Sequence, residues 1–210
     1  AGVTGNGQGT ILKALAGILP LTKGSIEIMG ETISPKSRLN PEQLRNLGVA
    51  HVPGDGQKMG MIADFSASET ALMGYQNDKD LNQGIWLKKS LVKANCASIM
   101  EAFDVRPPNP NLMSSNFSGG NQQKLILARE FERDPEVLII GQPTRGVDIG
   151  AIEFIRKRII QMRNAGKAIV LISVELEEIM SLSDRIIVMC DGVITGTVNG
   201  ADADEATLGM

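Results

Sequence analysis

The sequence is poor in the residues that most redox and metal chemistry needs. It holds one histidine and two cysteines in 210 residues. Cys96 and Cys190 lack metal-ligand spacing and cannot make a disulfide framework, so both are expected to be free and mostly buried thiols. His51 stands beside Val49 and Val52 in a strand-like run, where a structural role is expected rather than a catalytic one. An excess of charge is missing too: 21 basic residues face 24 acidic ones, a net charge of −3. That balance argues against a nucleic-acid partner or a polybasic membrane anchor. No apolar run approaches the roughly 18–20 residues that span a bilayer, and no signal-peptide pattern stands before the first motif. The domain is therefore expected to be soluble. Internal repeats and low-complexity segments are also lacking.

What is present is an α/β alternation. Hydrophobic residues make up 42% of the chain, enough for one substantial core or a core with a small satellite. Short β-rich runs alternate with helical periods, which predicts a layered α/β fold with a largely parallel sheet. Strands are expected at 25–29, 48–52, 137–140, 168–173 and 185–190. Helices are expected at 8–16, 121–132, 149–164 and 176–182. Asn40-Pro41-Glu42 reads as a helix cap with proline at the first helical position, and Asp191-Gly192 as the turn of a final hairpin. The stretch 65–117 changes character: one long helix over 86–103, a proline-broken loop, and no strand. The chain thus divides into a core segment 1–64, a helical subdomain 65–117 and a second core segment 118–210.

The opening "AGVTGNGQGT" has the spacing of a phosphate-cradling loop, G-x-x-x-x-G-K-[ST]. Gly2, Gly5, Asn6 and Gly7 fit it, and Thr10 lies one place beyond the expected hydroxyl. The two positions that bring charge and metal chemistry hold Gln8 and Gly9. Glycine amides and the head of the following helix still favour an anion, but Gln8 neutralises nothing and Gly9 has no hydroxyl for magnesium. A strand normally leads into such a loop and positions its amides. None stands ahead of Gly2, so the chain is expected to be a piece of a longer polypeptide.

A second stretch, "NFSGGNQQKLILARE", sets Ser118, Gly119 and Gly120 directly before a helix. A hydroxyl, two glycine amides and a helix N-terminus make a site for a terminal phosphate. This stretch resembles the signature sequence of the ABC transporter ATPases, and its SGG-x-QQ form resembles the sugar and nucleoside importers of that family. The resemblance extends over essentially the whole chain. "PEVLIIGQPTRGVDIGA" resembles the Walker B strand and D-loop. Where the family carries a magnesium-binding aspartate and a catalytic glutamate, Gly141 and Gln142 stand here, and Asp148 matches the D-loop residue that reaches across a dimer interface. "VLISVELEEIMSLSDRIIVM" resembles the switch region, with Val174 in place of the γ-phosphate-sensing histidine. "HVPGDGQ" corresponds to the Q-loop, with Gly54 where glutamine is common.

The resemblance implies a P-loop NTPase core of the RecA-like ABC type with a helical subdomain and its N-terminal strands missing. It implies the second nucleotide-binding half of a tandem ATPase that energises uptake of a nucleoside or simple sugar. "DFSASETALMGYQ" and "EAFDVRPPNP" lean towards nucleosides. Four departures, at Gln8, Gly141, Gln142 and Val174, fall together on the chemical positions. The chain's own site, ATP-binding through Gly2, Gly5, Asn6, Gly7, Gln8, Gly9, Thr10 and Asp148, is therefore expected to be degenerate, with Mg2+ weak or absent and no metal ligands assigned. Ser118, Gly119 and Gly120 are expected to act in trans at the partner half's site. The implied partners are the N-terminal ABC domain of the same polypeptide, transmembrane permease subunits and, indirectly, a periplasmic or lipoprotein solute-binding protein. The implied location is the cytoplasmic face of the inner membrane. Two alternatives remain: a non-catalytic regulatory ABC module, and a soluble ABC-type ATPase.

Overall fold

Five consecutive residues, Val137–Gly141, are buried along their whole length, and the core is built around them. The computed structural model describes residues 5–83, 86–206 and 208. In chain order the elements are α1 (Gln8–Leu15), β1 (Ile26–Ile28), β2 (Glu31–Ile33), α2 (Pro41–Asn46), β3 (Val49–Val52), α3 (Gly56–Met59), α4 (Ala67–Leu72), β4 (Asn82–Gln83), β5 (Trp86–Leu87), α5 (Lys89–Ala102), α6 (Gly119–Phe131), β6 (Val137–Gly141), α7 (Ile149–Asn164), β7 (Ala168–Ile172), α8 (Leu176–Leu182), β8 (Arg185–Cys190) and β9 (Val193–Asn199). They fall into two units, Ala1–Gly54 with Pro135–Pro143 and Glu153–Met210, and Asp55–Asp134 with Thr144–Ile152.

The first unit carries a parallel sheet in the order β3-β6-β7. Val49 lies opposite Val137 and Val52 opposite Ile140, while Val137 to Gly141 pair with Ala168 to Ile172. A central parallel strand is covered on both faces, which is why "VLII" reads as an unbroken apolar run. Leu12, Ile33, Leu44, Val49, Val137 and Ile139 pack into one cluster beside it. The predicted cap of α2 is complete: Asn40 Oδ1 accepts the Gln43 N–H at 2.9 Å, and Gln43 Oε1 accepts the Asn40 N–H at 2.8 Å. The β8–β9 hairpin turns through Asp191 and Gly192, both at positive φ (47° and 77°), as a tight two-residue turn requires. It packs on α8 through Ile179 and Ile186. Among the described residues β7 pairs with β6 and β8 with β9, and a cavity of about 600 Å³ lined by Ile169, Leu171, Ile186 and Ile187 lies between them.

The second unit is mainly helical. Phe103, at the end of α5, meets Phe131 of α6 edge to face, with ring centres 5.7 Å apart. Arg129 is the buried hub. Its Nη1 donates to the carbonyls of Gly60 (2.8 Å) and Thr70 (3.0 Å), and its Nε donates to Glu130 at 2.7 Å. Glu130 also accepts the Tyr75 hydroxyl at 2.6 Å. Position 60 has no room for a side chain, since a Cβ there would stand 2.7 Å from the Gly56 carbonyl oxygen and 2.8 Å from Ile126 Cδ1.

Three sequence expectations need correction. Among the described residues the parallel ladder has three strands, with β1 and β8 in hairpins instead, and the β1–β2 hairpin, which the sequence did not announce, turns at Met29 and Gly30, both at positive φ. The long helix begins at Lys89, because Trp86–Leu87 pairs with Asn82–Gln83 and the Lys88 N–H is taken by the Leu81 carbonyl at 2.9 Å. Of the two thiols only Cys96 is buried; Cys190 is exposed, at an outward place in the alternation of β8. Burial pushes the Cys96 thiol up to about 12. Among the described residues no helix is long and apolar enough to cross a membrane.

Candidate functional site

The first candidate region is the loop before α1. Gly5 and Gly7 hold φ of 102° and 97°, values that favour glycine, and Gly7 caps α1 without a side chain. The amides of Thr10 and Ile11 bond to the Gly7 carbonyl at 3.0 Å, so the helix is formed from its first turn. Asn6 is anchored from outside the loop. Its Oδ1 accepts the Asp191 N–H at 3.0 Å and its carbonyl accepts the Gly192 N–H at 3.2 Å. The β8–β9 turn therefore clamps the loop by two backbone donors on one residue. Gln8 is half-buried, and Gly9 and Thr10 are exposed. Around a Cβ built on Gly9 nothing lies within 4 Å, so the hydroxyl missing there is a chemical loss only. Gly2 lies outside the described residues.

The end of β6 stands differently. Gly141 is buried, and a Cβ added to it would come 2.8 Å from Gly54 N, 2.8 Å from Leu12 Cδ2 and 2.9 Å from Gly54 Cα. Gln142 follows at φ 48°, its N–H donating to the Ile172 carbonyl at 2.7 Å. Its Oε1 accepts the Val174 N–H at 3.5 Å, a weak bond that joins the ends of β6 and β7. Val174 is partly exposed and brings no proton-transferring group. A divalent cation needs hard oxygen donors. Gly9, Gly54 and Gly141, where the family's metal chemistry is expected, supply none from side chains.

The second region is the head of α6. Ser118 is its N-cap, and Ser118 Oγ accepts from the Asn121 side-chain amide at 2.9 Å and, more weakly, from the Asn121 N–H at 3.4 Å. Asn121 Oδ1 in turn accepts the Arg106 N–H at 2.7 Å. Gln122 is buried and donates to the carbonyls of Ser114 (3.0 Å) and Phe117 (3.1 Å), and its Oε1 accepts from Gln57 at 3.0 Å. A Cβ on Gly120 would meet the Gly146 carbonyl at 3.2 Å. Ser118 and Gly119 are exposed over this buried support. The amides of Gly119 and Gly120 head a helix of 13 residues, where no intrahelical acceptor exists for them.

Asp148 belongs to the same unit. Its Oδ1 accepts the Ala151 N–H at 2.9 Å, capping α7, and Lys124 Nζ lies 3.8 Å from Oδ2. The hydrogen bond from Ala151, with the Lys124 charge, holds its carboxyl below the usual aspartate value.

Sequence reasoning singled out every one of these positions except the contacts that govern them. The Asn6 clamp, the Gly141–Gly54–Leu12 contact and the Asn121–Arg106 bond join residues far apart in the chain. Only the unusual glycines at 54 and 141 hinted at one of them.

The chain matches the family model described as ABC transporter over residues 1–145. It is 41% identical over 210 residues to the guanosine import ATP-binding protein NupO of Bacillus subtilis, and 39% identical over 210 residues to the nucleoside import ATP-binding protein NupA of Lactococcus lactis subsp. cremoris. It is 38% identical over 212 residues to the glucose import ATP-binding protein TsgD13 of Haloferax volcanii. These alignments take in 100% of this chain but 41%, 41% and 38% of the relatives. The chain thus spans about two fifths of the length of the curated relatives it matches. Among solved structures it is similar to a dimeric ATP-binding cassette in a post-hydrolysis state bound to ADP and Pi, with a TM-score of 0.75 and 20% identity over 94% of this chain and 82% of that one. That likeness speaks for the fold.

Proposed function

The chain belongs to the ABC transporter family, and from that premise we propose that it is the second ATP-binding cassette of a tandem ATPase driving import of nucleosides or simple sugars. The observation that carries this reading is the contrast inside one chain: a hydrogen-bonded signature at Ser118–Gly120, and a phosphate loop without its charged and metal-binding side chains. Cassettes of this family bind nucleotide between the phosphate loop of one domain and the signature of another. A domain that keeps only its signature serves the partner's site. The three relatives, import ATP-binding proteins for guanosine, nucleosides and glucose, support the substrate class. Their length, which has room for two such domains, supports the tandem arrangement.

Each residue then has a role. The Ser118 hydroxyl and the amides of Gly119 and Gly120, at the positive end of α6, donate to the γ-phosphate that the N-terminal cassette holds. Preorganised donors of this kind are worth about 10²–10³ in rate. Gly5–Thr10 hold a second nucleotide through backbone amides, as a brace for the dimer. Without lysine that grip loses a charge-assisted bond of about 1.5–3 kcal/mol, roughly tenfold to a hundredfold in affinity. Gln142 and Val174 occupy the places of the general base and the sensing histidine, and a missing base costs about 10²–10⁴ in rate. Hydrolysis at this loop is negligible and binding there depends little on magnesium. Asp148 faces the partner cassette. The assembled protein sits peripherally on the cytoplasmic face of the membrane, against permease subunits fed by a solute-binding protein.

The test is made in the full-length protein with the catalytic carboxylate of the N-terminal cassette removed. Turnover falls to that of a buffer blank, because this chain's loop cannot carry it. Magnesium-dependent turnover of about 1 s⁻¹ or more, the low end of ordinary enzymes, contradicts the reading.

A further inference from the structure

ATP hydrolysis in this family calls for a divalent cation, and Gly9, Gly54 and Gly141 supply no side-chain ligand for one. The misfit has two kinds of cause. At Gly9 a side chain is missing and the space for it is open. At Gly141 the space itself is filled. A Cβ there would approach Gly54 N, Gly54 Cα and Leu12 Cδ2 at 2.8, 2.9 and 2.8 Å, closer than carbon atoms pack in folded proteins, where interiors are already at crystal density. Two of the three atoms are backbone, so a rotamer change cannot relieve them. Nor can the strands part easily. Gly54 follows β3 by two residues, Gly141 closes β6, and the two strands are fixed in register by the ladder from Val49–Val137 to Val52–Ile140. Beyond Gly141, the β6 backbone stays tied to β7 through Gly141–Ile172 and the Gln142 N–H. The ladder on both sides holds the contact shut.

We propose that the cation side of this nucleotide site is closed by packing: the Gly54 backbone and Leu12 fill the space that the side chain of a carboxylate at position 141 needs. The loop accordingly accepts the phosphates of a metal-free nucleotide, and restoring the lost ligands, even together, does not restore a cation site. This rests on the reading of the loop as a nucleotide site, but its steric half does not.

The test uses the full-length protein and two readouts. The first is thermal unfolding of Gly141→Ala against Gly54→Ala. The two glycines touch, yet a Cβ on Gly54 has its nearest neighbours at 3.7 and 3.8 Å, an ordinary contact. Overpacking predicts that Gly141→Ala lowers the unfolding midpoint by several degrees and that Gly54→Ala leaves it unchanged. The second is the number of Mn2+ ions bound per chain in the presence of ATP, counted by electron paramagnetic resonance. Gly9→Ser with Gly141→Asp and Gln142→Glu binds no more Mn2+ than wild type. A Gly141→Ala protein as stable as wild type overturns the proposal, and so does one additional Mn2+ per chain in the triple variant. If the triple variant fails to fold, the two alanine variants still decide. If the loop is no nucleotide site at all, wild type with its partner site disabled binds no nucleotide, while the contrast between the two alanine variants stands.

Discussion

At Ser118–Gly120 the loop rests on a hydrogen-bonded support: Asn121 holds Ser118 and is held by Arg106, Gln122 is bonded to Ser114, Phe117 and Gln57, and Arg129 is locked among Gly60, Thr70 and Glu130. At Gly141 the side chain is gone, and the Gly54 backbone with Leu12 fills the space. Both regions are ordered, but by different means. A polar network is expensive to keep satisfied, and it fixes the direction of exposed donors. Glycine packing fixes a backbone path and offers nothing to a ligand. In the proposed arrangement the first loop serves chemistry and the second architecture. Gly5–Thr10 stands between the two. It keeps backbone amides and gains a clamp, since Asn6 ties it to the Asp191–Gly192 turn.

The largest effect is expected where the buried network is cut. Arg129→Ala leaves Glu130, which has no solvent exposure, with the Tyr75 hydroxyl but without its cation. Breaking a buried ion pair from one side costs about 3–5 kcal/mol. Denaturant unfolding of the full-length protein reads it. A loss under about 1 kcal/mol, the range of exposed pairs, means the signature does not depend on this network and the comparison fails. A smaller effect is expected at the clamp. Asn6→Ala removes the acceptor for the Asp191 N–H while the bond to the Asn6 carbonyl remains. One neutral hydrogen bond is worth about 0.5–1.5 kcal/mol, so nucleotide affinity at this loop falls roughly two- to tenfold in calorimetry with the partner's site disabled. Hydrogen exchange at the Asp191 amide quickens in the same variant. Unchanged affinity with faster exchange makes the clamp structural only.

Local chemistry was legible in the sequence, and contacts between distant segments were not. The Asn40 cap, α7, α8 and the Asp191-Gly192 turn follow from residues within four positions of each other, and the structure places them as read. Ser118-Gly119-Gly120 likewise announced itself, because a cap, two small residues and a helix head are neighbours in the chain. The β1–β2 hairpin escaped notice because β2 is three residues long and two of them are polar. Trp86 and Leu87 extended an apolar helical pattern, and only the pairing with Asn82–Gln83 takes them out of it. Gly141 was legible as a lost carboxylate. That its space is taken by Gly54, 87 positions earlier in the sequence, could not be read from either residue alone.

In the proposed arrangement this chain acts on the partner's nucleotide through Ser118 and Gly119. The most direct test is steady-state ATP turnover of the assembled full-length transporter carrying either Ser118→Arg or Gln8→Ala. Ser118→Arg sets a bulky side chain where the phosphate must lie, while Gln8→Ala alters a position already without charge. Turnover is expected to be abolished in the first and close to wild type in the second. Turnover intact in Ser118→Arg and lost in Gln8→Ala would contradict it.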